Sequence, residues 1–379
     1  MTKLLPIVIA ALVLAALAEW NSTYTIDEYG ERVYIKKDRL FITIMAVCLI
    51  IFVGLRTSYN DTGAYRRAYE LIQPGFSAFK NIDWALGVNP GFNVTNIFLK
   101  TLGTSTQNFI MFYAAVTVGI YIWFIRKHTN NIWISFFLFF TMGGYTFTMA
   151  AIKQCVAVAF CLMGVDRAIQ KKWVSFIVWI VIAITFHPYS FMYAVTPFLA
   201  FRPWTKKTFL LLVVFGTVGI GLEALLGTLL NVTTMLGEGY DMASFTGDGV
   251  NVFRLLVVWV PVLLSFITRK FWLSNDDEES NIIMNLTMLN AEIMFIALFG
   301  TANYFARLAN YFLLFQTLAL PSMFKCFTSA SKRLLTISAI GGYAMYFYYA
   351  EAIANGGFDL NFKALSLLEY LNTLFAIGG

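Results

Sequence analysis

Apolar runs long enough, or nearly long enough, to cross a bilayer recur along the whole chain, and few folds tolerate that. They fall at about 4–20, 40–55, 107–125, 131–147, 150–166, 173–187, 188–201, 208–230, 252–268, 282–299, 308–325 and 334–350. A hydrocarbon core about 30 Å thick takes roughly 20 apolar residues of helix. Every backbone polar group inside it must bond within the protein. The 379 residues are 59% hydrophobic and 13% charged, where soluble domains carry about 25% charged residues. The expected fold class is all-α: a polytopic transmembrane helical bundle of about twelve spans, forming one integral membrane domain over 1–379. Pro188 splits two adjacent runs, which suits broken or re-entrant helices. Residues 91–103 are too short to span and read as interfacial, as does the stretch from Leu367 to Ile377. Leu4 to Trp20 follows Lys3 and ends in Ala16-Leu-Ala18, like a signal peptide. It is read as an uncleaved first span, because cleavage would put the basic loop after it outside.

Lysine and arginine orient the bundle. Of 27 such residues, 17 lie in the short loops 19–39, 126–130, 167–172, 202–207, 269–281 and 325–333. That side is expected to be cytoplasmic, with both termini outside and external loops at 56–106 and 231–251. The net charge of +6 sits mostly in these loops and is no nucleic-acid signal. Of the other cations, Arg56 ends an outward span. Lys153, Arg254 and Arg307 each stand near the outer start of an inward one. His187 stands at the outer end of its span, and Tyr65, Arg66 and Arg67 follow Arg56 in the same loop. Each cation alone suits snorkelling to the interface. Together, on the side that normally lacks positive charge, they suit an external cavity for an anionic ligand. The planar fork of arginine favours phosphate.

Acids are few. Asp61 shares the loop of Arg56, Glu292 lies mid-span and suits an ion pair with Lys153 or an arginine, and Glu223 lies in the outer part of 208–230. The run Asn275-Asp-Asp-Glu-Glu-Ser280 reads as a solvated loop rather than a metal site. Four cysteines show no disulfide or metal spacing, and two histidines exclude a His-rich metal centre. No Gly-rich phosphate loop is present, so no nucleotide, metal or other cofactor is expected. Asp61 or His187 could accept a proton at the site. A carboxylate beside Arg56 would be a weak base and a good orienter, whereas cations around an imidazole keep it neutral and able to accept, which favours His187.

Ordered blocks then carry a resemblance. Gly54-Leu-Arg56 with Asp61 and Tyr65 is followed by Asn89-Pro-Gly-Phe92; then come Ala151-Ile-Lys153-Gln154, Thr185-Phe-His187-Pro-Tyr-Ser190, and Arg307-Leu-Ala-Asn-Tyr-Phe312. In these the chain resembles the EpsG-like branch of Wzy-type bacterial polysaccharide polymerases. It departs where that branch commonly has arginine at Lys153 and an acid at Asn89. The resemblance implies a GT-C-like, metal-independent glycosyltransferase of the bacterial plasma (inner) membrane, with its site facing outside. It would join oligosaccharide repeat units carried on undecaprenyl pyrophosphate, for O-antigen, capsule or exopolysaccharide. Donor and acceptor glycans and membrane lipids would be its partners, with a chain-length regulator and a flippase. Arg56, Lys153, Arg254, Arg307, Tyr65, Gln154, Arg66 and Arg67 would bind pyrophosphate and substrate, with His187 or Asp61 catalytic. Tyr59, Tyr65, Trp84, Tyr145, Tyr240 and Tyr304 are candidates to stack on sugars or to sit in interface belts. A flippase of an anionic lipid-linked glycan and an O-antigen-ligase-type transferase are the rival readings.

Overall fold

Helices begin where short polar side chains precede the apolar runs. Ser105 accepts from the Asn108 N–H at 3.2 Å, Asn131 from Ile134 at 3.0 Å and Asn251 from Phe253 at 2.8 Å. Each satisfies an amide that a helix N-terminus leaves open. The helices they open are Thr106–His128, Ile132–Thr141 and Val252–Ile267. The computed structural model describes residues 1–27, 32–220, 250–298, 302–354 and 357–376, and among these the chain is mostly helical. The expected loop 231–251 lies outside them except for Val250 and Asn251. Glu223, Tyr240, the later part of run 208–230 and the Tyr304 side chain also lie outside what is described.

Thr106–His128 is one centre of packing. Leu40–Gly54 and Ile152–Ile169 lie along it, Leu4–Trp20 packs on Leu40–Gly54 and Ile132–Thr141, and Trp173–Phe186 packs on Ile152–Ile169. Glu278–Ile296 is a second centre, buried along almost its whole length among Lys206–Ile220, Val252–Ile267, Ala302–Ala309 and Leu313–Ser322. Leu313–Ser322 also touches Thr106–His128 and Ile132–Thr141, which joins the two centres.

The apolar runs do not map one to one onto long helices. Among the described residues only Thr106–His128 is long and apolar enough to cross a membrane as a single helix. Ile132–Thr141 and Gly144–Ala150 together pass the same test as a pair bent by 47°. Leu4–Trp20, Leu40–Gly54, Trp173–Phe186 and Val252–Ile267 are apolar but shorter. The 17 residues of Leu4–Trp20 rise roughly 25 Å. Run 131–147 breaks at Gly143, whose φ of +79° glycine adopts without strain. Run 188–201 is the 3₁₀ helix Pro188–Leu199, because Pro188 lacks an N–H and steers His187 away from helical backbone. Run 308–325 is interrupted by the 3₁₀ turns Asn310–Phe312 and Met323–Cys326, and run 334–350 passes from Ser329–Tyr348 into the π-helical turn Tyr349–Ala354. The all-α expectation agrees with the mostly helical structure, which adds two short strand pairings. Thr23–Ile26 pairs antiparallel with Arg32–Lys36, where β-branched and aromatic residues favour strands, and Arg56–Ser58 pairs with Lys363–Ala364.

The Lys/Arg-rich loops meet at one end of the bundle. Arg126 donates to Asp38 O at 2.7 Å and to Lys37 O at 2.8 Å. Lys127 pairs with Asp166, and Nε2 of His128 lies 3.2 Å from the same carboxylate. Nδ1 of His128 meets Glu279 Oε1 at 2.7 Å, Lys171 meets Glu278 at 2.9 Å, Arg202 pairs with Asp276, and Lys325 lies 5.0 Å over the Phe271 ring. The acidic run at 275–280 is therefore not merely solvated. It ties three basic loops together, and Asp277 caps Glu278–Ile296 by accepting from the Glu279 N–H at 3.1 Å.

Asp166 is the centre of this end, with a side chain 1% exposed that also accepts from Gln170 Nε2 at 2.6 Å. Asp166→Ala leaves His128 buried without that acceptor and is expected to cost on the order of 3 kcal/mol. Thermal unfolding in detergent should show the lowered midpoint; an unchanged midpoint would refute the role.

Candidate active site

At the other end of the same helices lies a cavity of ≈ 690 Å³. Its walls come from the loop Tyr59 to Asp61, the break around Gly143, the start of Val252–Ile267, the turn at Asn310 and the turn Tyr349–Ala354. Four of these depart from α-helix. Irregular backbone leaves amides and carbonyls unpaired, and within a helical bundle it is tolerated where it lines a cavity.

Arg254 and Arg307 face this cavity. Nη2 of Arg254 donates to Asn310 Oδ1 at 2.9 Å. Neither guanidinium has a carboxylate within ion-pair distance among the described residues. Gln154, 4% exposed, donates from Nε2 to the Arg307 carbonyl at 2.6 Å, so it holds the backbone beneath Arg307 rather than facing the cavity.

The remaining expected cations do not line it. Arg56 is 1% exposed and turns back to donate from Nη1 to Val53 O at 2.7 Å and from Nε to Thr62 Oγ1 at 3.1 Å. The negative end of Leu40–Gly54 draws it inward, and it pairs with no carboxylate, Asp61 included, among the described residues. Arg66 donates to Gln107 Oε1 at 2.7 Å, whose amide nitrogen donates to Gly54 O at 2.6 Å. It locks the loop to Thr106–His128, and Arg67 is exposed outside the cavity wall. Lys153 is not on the cavity wall. With the Asn89 amide oxygen facing it, Nζ donates at 2.9 Å while the amide nitrogen donates to Phe186 O at 3.0 Å; the hydrogen-bond network assigns that orientation. Asn89 thus serves Lys153 as a neutral acceptor, held at φ 57°, a left-handed conformation asparagine tolerates. His187 is not on the cavity wall either. Its Nδ1 and the Tyr311 hydroxyl share a hydrogen bond of 2.6 Å, and the charges of Lys153 and Arg307 reach it. Tyr65 packs edge-on to Phe92 at 5.9 Å, within the influence of Asp61, Lys153 and Arg307.

Of the two expected proton acceptors, Asp61 lines the cavity and His187 does not. Glu292 is buried with no ion pair among the described residues, so the ion pair expected with Lys153 or an arginine is not found. A further acid was missed. Glu351 lines the cavity at 4% exposure, and Thr146 Oγ1 donates to its Oε1 at 2.7 Å. Its Oε2 is buried without a hydrogen-bond partner among the described residues, which costs roughly 1–3 kcal/mol unless a donor arrives. The available signal was an acid one place beyond the last apolar run, where water or lipid headgroups would otherwise have accounted for it.

Residues 39–366 match the model of the EpsG family. The chain belongs to the EpsG family. The match spans every wall of the cavity, and the family implies a membrane-associated, glycosyltransferase-type polymerase of polysaccharide biosynthesis. No curated protein and no solved structure matches the chain.

One close approach within the matched region sets the geometry beside Asn89. A Cβ on Gly91 would fall 2.2 Å from Thr185 Oγ1 and 3.0 Å from the Phe186 ring, so Pro90–Thr101 and Trp173–Phe186 touch there. Gly91→Ala is expected to cost about 1–3 kcal/mol by overpacking. The check is a fall in the unfolding midpoint in detergent, and full retention would mean the helices part freely.

Proposed function

We propose that this EpsG-family chain polymerises oligosaccharide repeat units carried on undecaprenyl pyrophosphate at the outer face of the bacterial plasma membrane, as a multi-pass GT-C-like transferase. The observation that carries the reading is the pair Arg254 and Arg307. Both guanidiniums share one cavity with Asp61 and Glu351, without carboxylate partners among the described residues. Orientation rests on the basic loops. Lysines and arginines gather on the cytoplasmic side of membrane proteins, and the cavity lies at the opposite end of the helices that those loops join. Shorter apolar helices, broken at Gly143, Pro188 and Asn310, serve as spans where neighbouring helices cover the irregular backbone.

The chemistry follows from the charges. Breaking the bond from the anomeric carbon to pyrophosphate builds negative charge on the leaving oxygen. Fixed guanidiniums stabilise that charge more in the transition state than in the ground state. The acceptor hydroxyl needs a proton acceptor within hydrogen-bond reach, and the cavity acids supply it. Asn251, Asn310 and the tyrosines Tyr59, Tyr346 and Tyr349 offer hydrogen bonds and ring faces to sugars. A volume of ≈ 690 Å³ is in the range of small-molecule sites and suits the reacting sugars and diphosphate, with the polyprenyl chain lying in the membrane.

Purified protein incubated with lipid-linked repeat units alone tests the reading. A ladder of longer glycans supports polymerisation, a need for a different acceptor indicates a ligase, and movement across a bilayer without chemistry indicates a flippase. Within that assay Arg307→Lys keeps the charge and loses the bidentate fork. Its turnover should fall on the order of 10²-fold, as when one preorganised donor is removed. Wild-type turnover in this variant would dissociate Arg307 from the pyrophosphate.

Sidedness has its own test. In a background with all native cysteines replaced, a cysteine at position 61 should react with an impermeant thiol reagent added outside intact cells, and one at position 277 should react only after permeabilisation. The reverse pattern refutes an external site.

A further inference from the structure

We infer that Glu351 is the catalytic base of the proposed polymerisation, and that its free carboxylate oxygen receives the proton of the acceptor hydroxyl. The inference rests on the lipid-linked-glycan reading above and assigns a step within it.

Geometry leads to Glu351. The residue is 4% exposed, lines the cavity that holds Arg254 and Arg307, and has one oxygen fixed and one unpartnered among the described residues. Thr146, which fixes Oε1, comes from the segment just after the Gly143 break. The carboxylate is therefore oriented by a part of the chain remote from its own helix, as a catalytic group must be. The turn Tyr349–Ala354 that carries it is π-helical. Such turns are rare and are found frequently at functional sites, where they re-aim a side chain. An acceptor on a cavity wall with no donor of its own is matched by a hydroxyl on a bound sugar.

The competing groups fit the role less well. Asp61 is only half-buried and its side chain does not cap Thr62–Glu70, so it lacks the fixed orientation that Thr146 gives Glu351. Glu351 follows the C-terminus of Ser329–Tyr348, where the helix dipole disfavours a charged carboxylate. Burial raises its carboxyl pKa above the usual range, although the Thr146 hydrogen bond works the other way. The ionisable groups that share its cavity are Tyr59, Asp61, Arg254, Arg307, Tyr346 and Tyr349, with the amino group of Met1 acting from the neighbouring segment. His187 already shares Nδ1 with Tyr311 and stands off the wall.

The step balances as follows. The acceptor O–H bond breaks and its proton passes to Glu351 Oε2. The acceptor oxygen bonds to the donor anomeric carbon, and the bond from that carbon to pyrophosphate breaks. Its electron pair stays on the pyrophosphate oxygen beside Arg254 and Arg307. Glu351 then returns the proton to water.

Glu351→Gln keeps the size and can still accept from Thr146, but it is no base. The single-turnover rate with lipid-linked repeat units should fall by roughly 10²–10⁴-fold. Binding of the lipid-linked donor should be unchanged. The wild-type pH–rate profile should show an acid limb, activity being lost as pH falls through the raised Glu351 pKa, and Glu351→Asp should move that limb. Formate should restore turnover to Glu351→Ala, which a merely structural role would not allow. If Glu351→Gln fails to fold, the pH limb and its movement in Glu351→Asp decide. Wild-type turnover in Glu351→Gln, or an acid limb unmoved in Glu351→Asp, overturns the assignment to Glu351 while polymerisation by the wild type keeps the broader reading. Absence of any polymerisation by the wild type overturns both.

Discussion

A cation held inside an apolar helical bundle must find oxygen atoms, and the kind of oxygen decides what the cation can still do. At the basic end of this bundle several partners are carboxylates, Asp166 for Lys127, Glu278 for Lys171, Asp276 for Arg202 and Glu19 for Arg32, while Arg126 takes the backbone carbonyls of Lys37 and Asp38. Charge is cancelled there and the loops are fastened. Toward the cavity the partners are neutral dipoles: Val53 O and Thr62 for Arg56, Gln107 for Arg66, Asn310 for Arg254 and Asn89 for Lys153. Neutral oxygens satisfy the donors and leave the positive charge in place. Low-dielectric walls then concentrate that field on the cavity.

The backbone around the cavity is irregular. At the basic end Asp277 and Thr328 cap the helices that begin there. Around the cavity the chain breaks at Gly143, tightens to 3₁₀ at Asn310–Phe312 and loosens to π at Tyr349–Ala354. Each irregularity brings a polar side chain to the wall that a straight helix of this apolar character would leave facing its neighbours. Gln154 and Asn290 then use their amides to secure the carbonyls of Arg307 and Ala309, which stiffens the segment bearing Arg307. A site assembled from four or more segments of chain is held by contacts remote in sequence, and this suits a reaction that must grip a donor and an acceptor at once.

Membership of the EpsG family and the geometry of the cavity bear on different parts of the function. The family concerns the class of reaction, a glycosyltransferase-type polymerisation. The cavity bears on the division of labour in the proposed reaction: guanidiniums would take the leaving anion, acids the proton, and tyrosines and asparagines the hydroxyls. Arg56 and Arg66, expected to bind substrate, bond to Val53, Thr62 and Gln107 around the loop that carries Asp61.

Composition and rhythm were legible in the linear chain. The apolar runs located the helices, and the basic loops were correctly grouped, since 19–39, 126–130, 167–172, 202–207, 269–281 and 325 do meet. The two arginines of the cavity were also legible, because a cation at the end of an apolar run is conspicuous whatever its neighbours. Side-chain direction was not. Arg254 and Arg56 occupy similar depths along their runs, yet one faces the cavity and the other folds back onto its own helix end, where free carbonyls attract it. Nor was Glu351 legible, since its meaning lies in Thr146, 205 residues away, and in burial by elements that a linear pattern does not place beside it. Hydrophobic periodicity is a local property of the chain. The pairing of buried polar groups is set by which segments touch, and that was decided only when the helices packed.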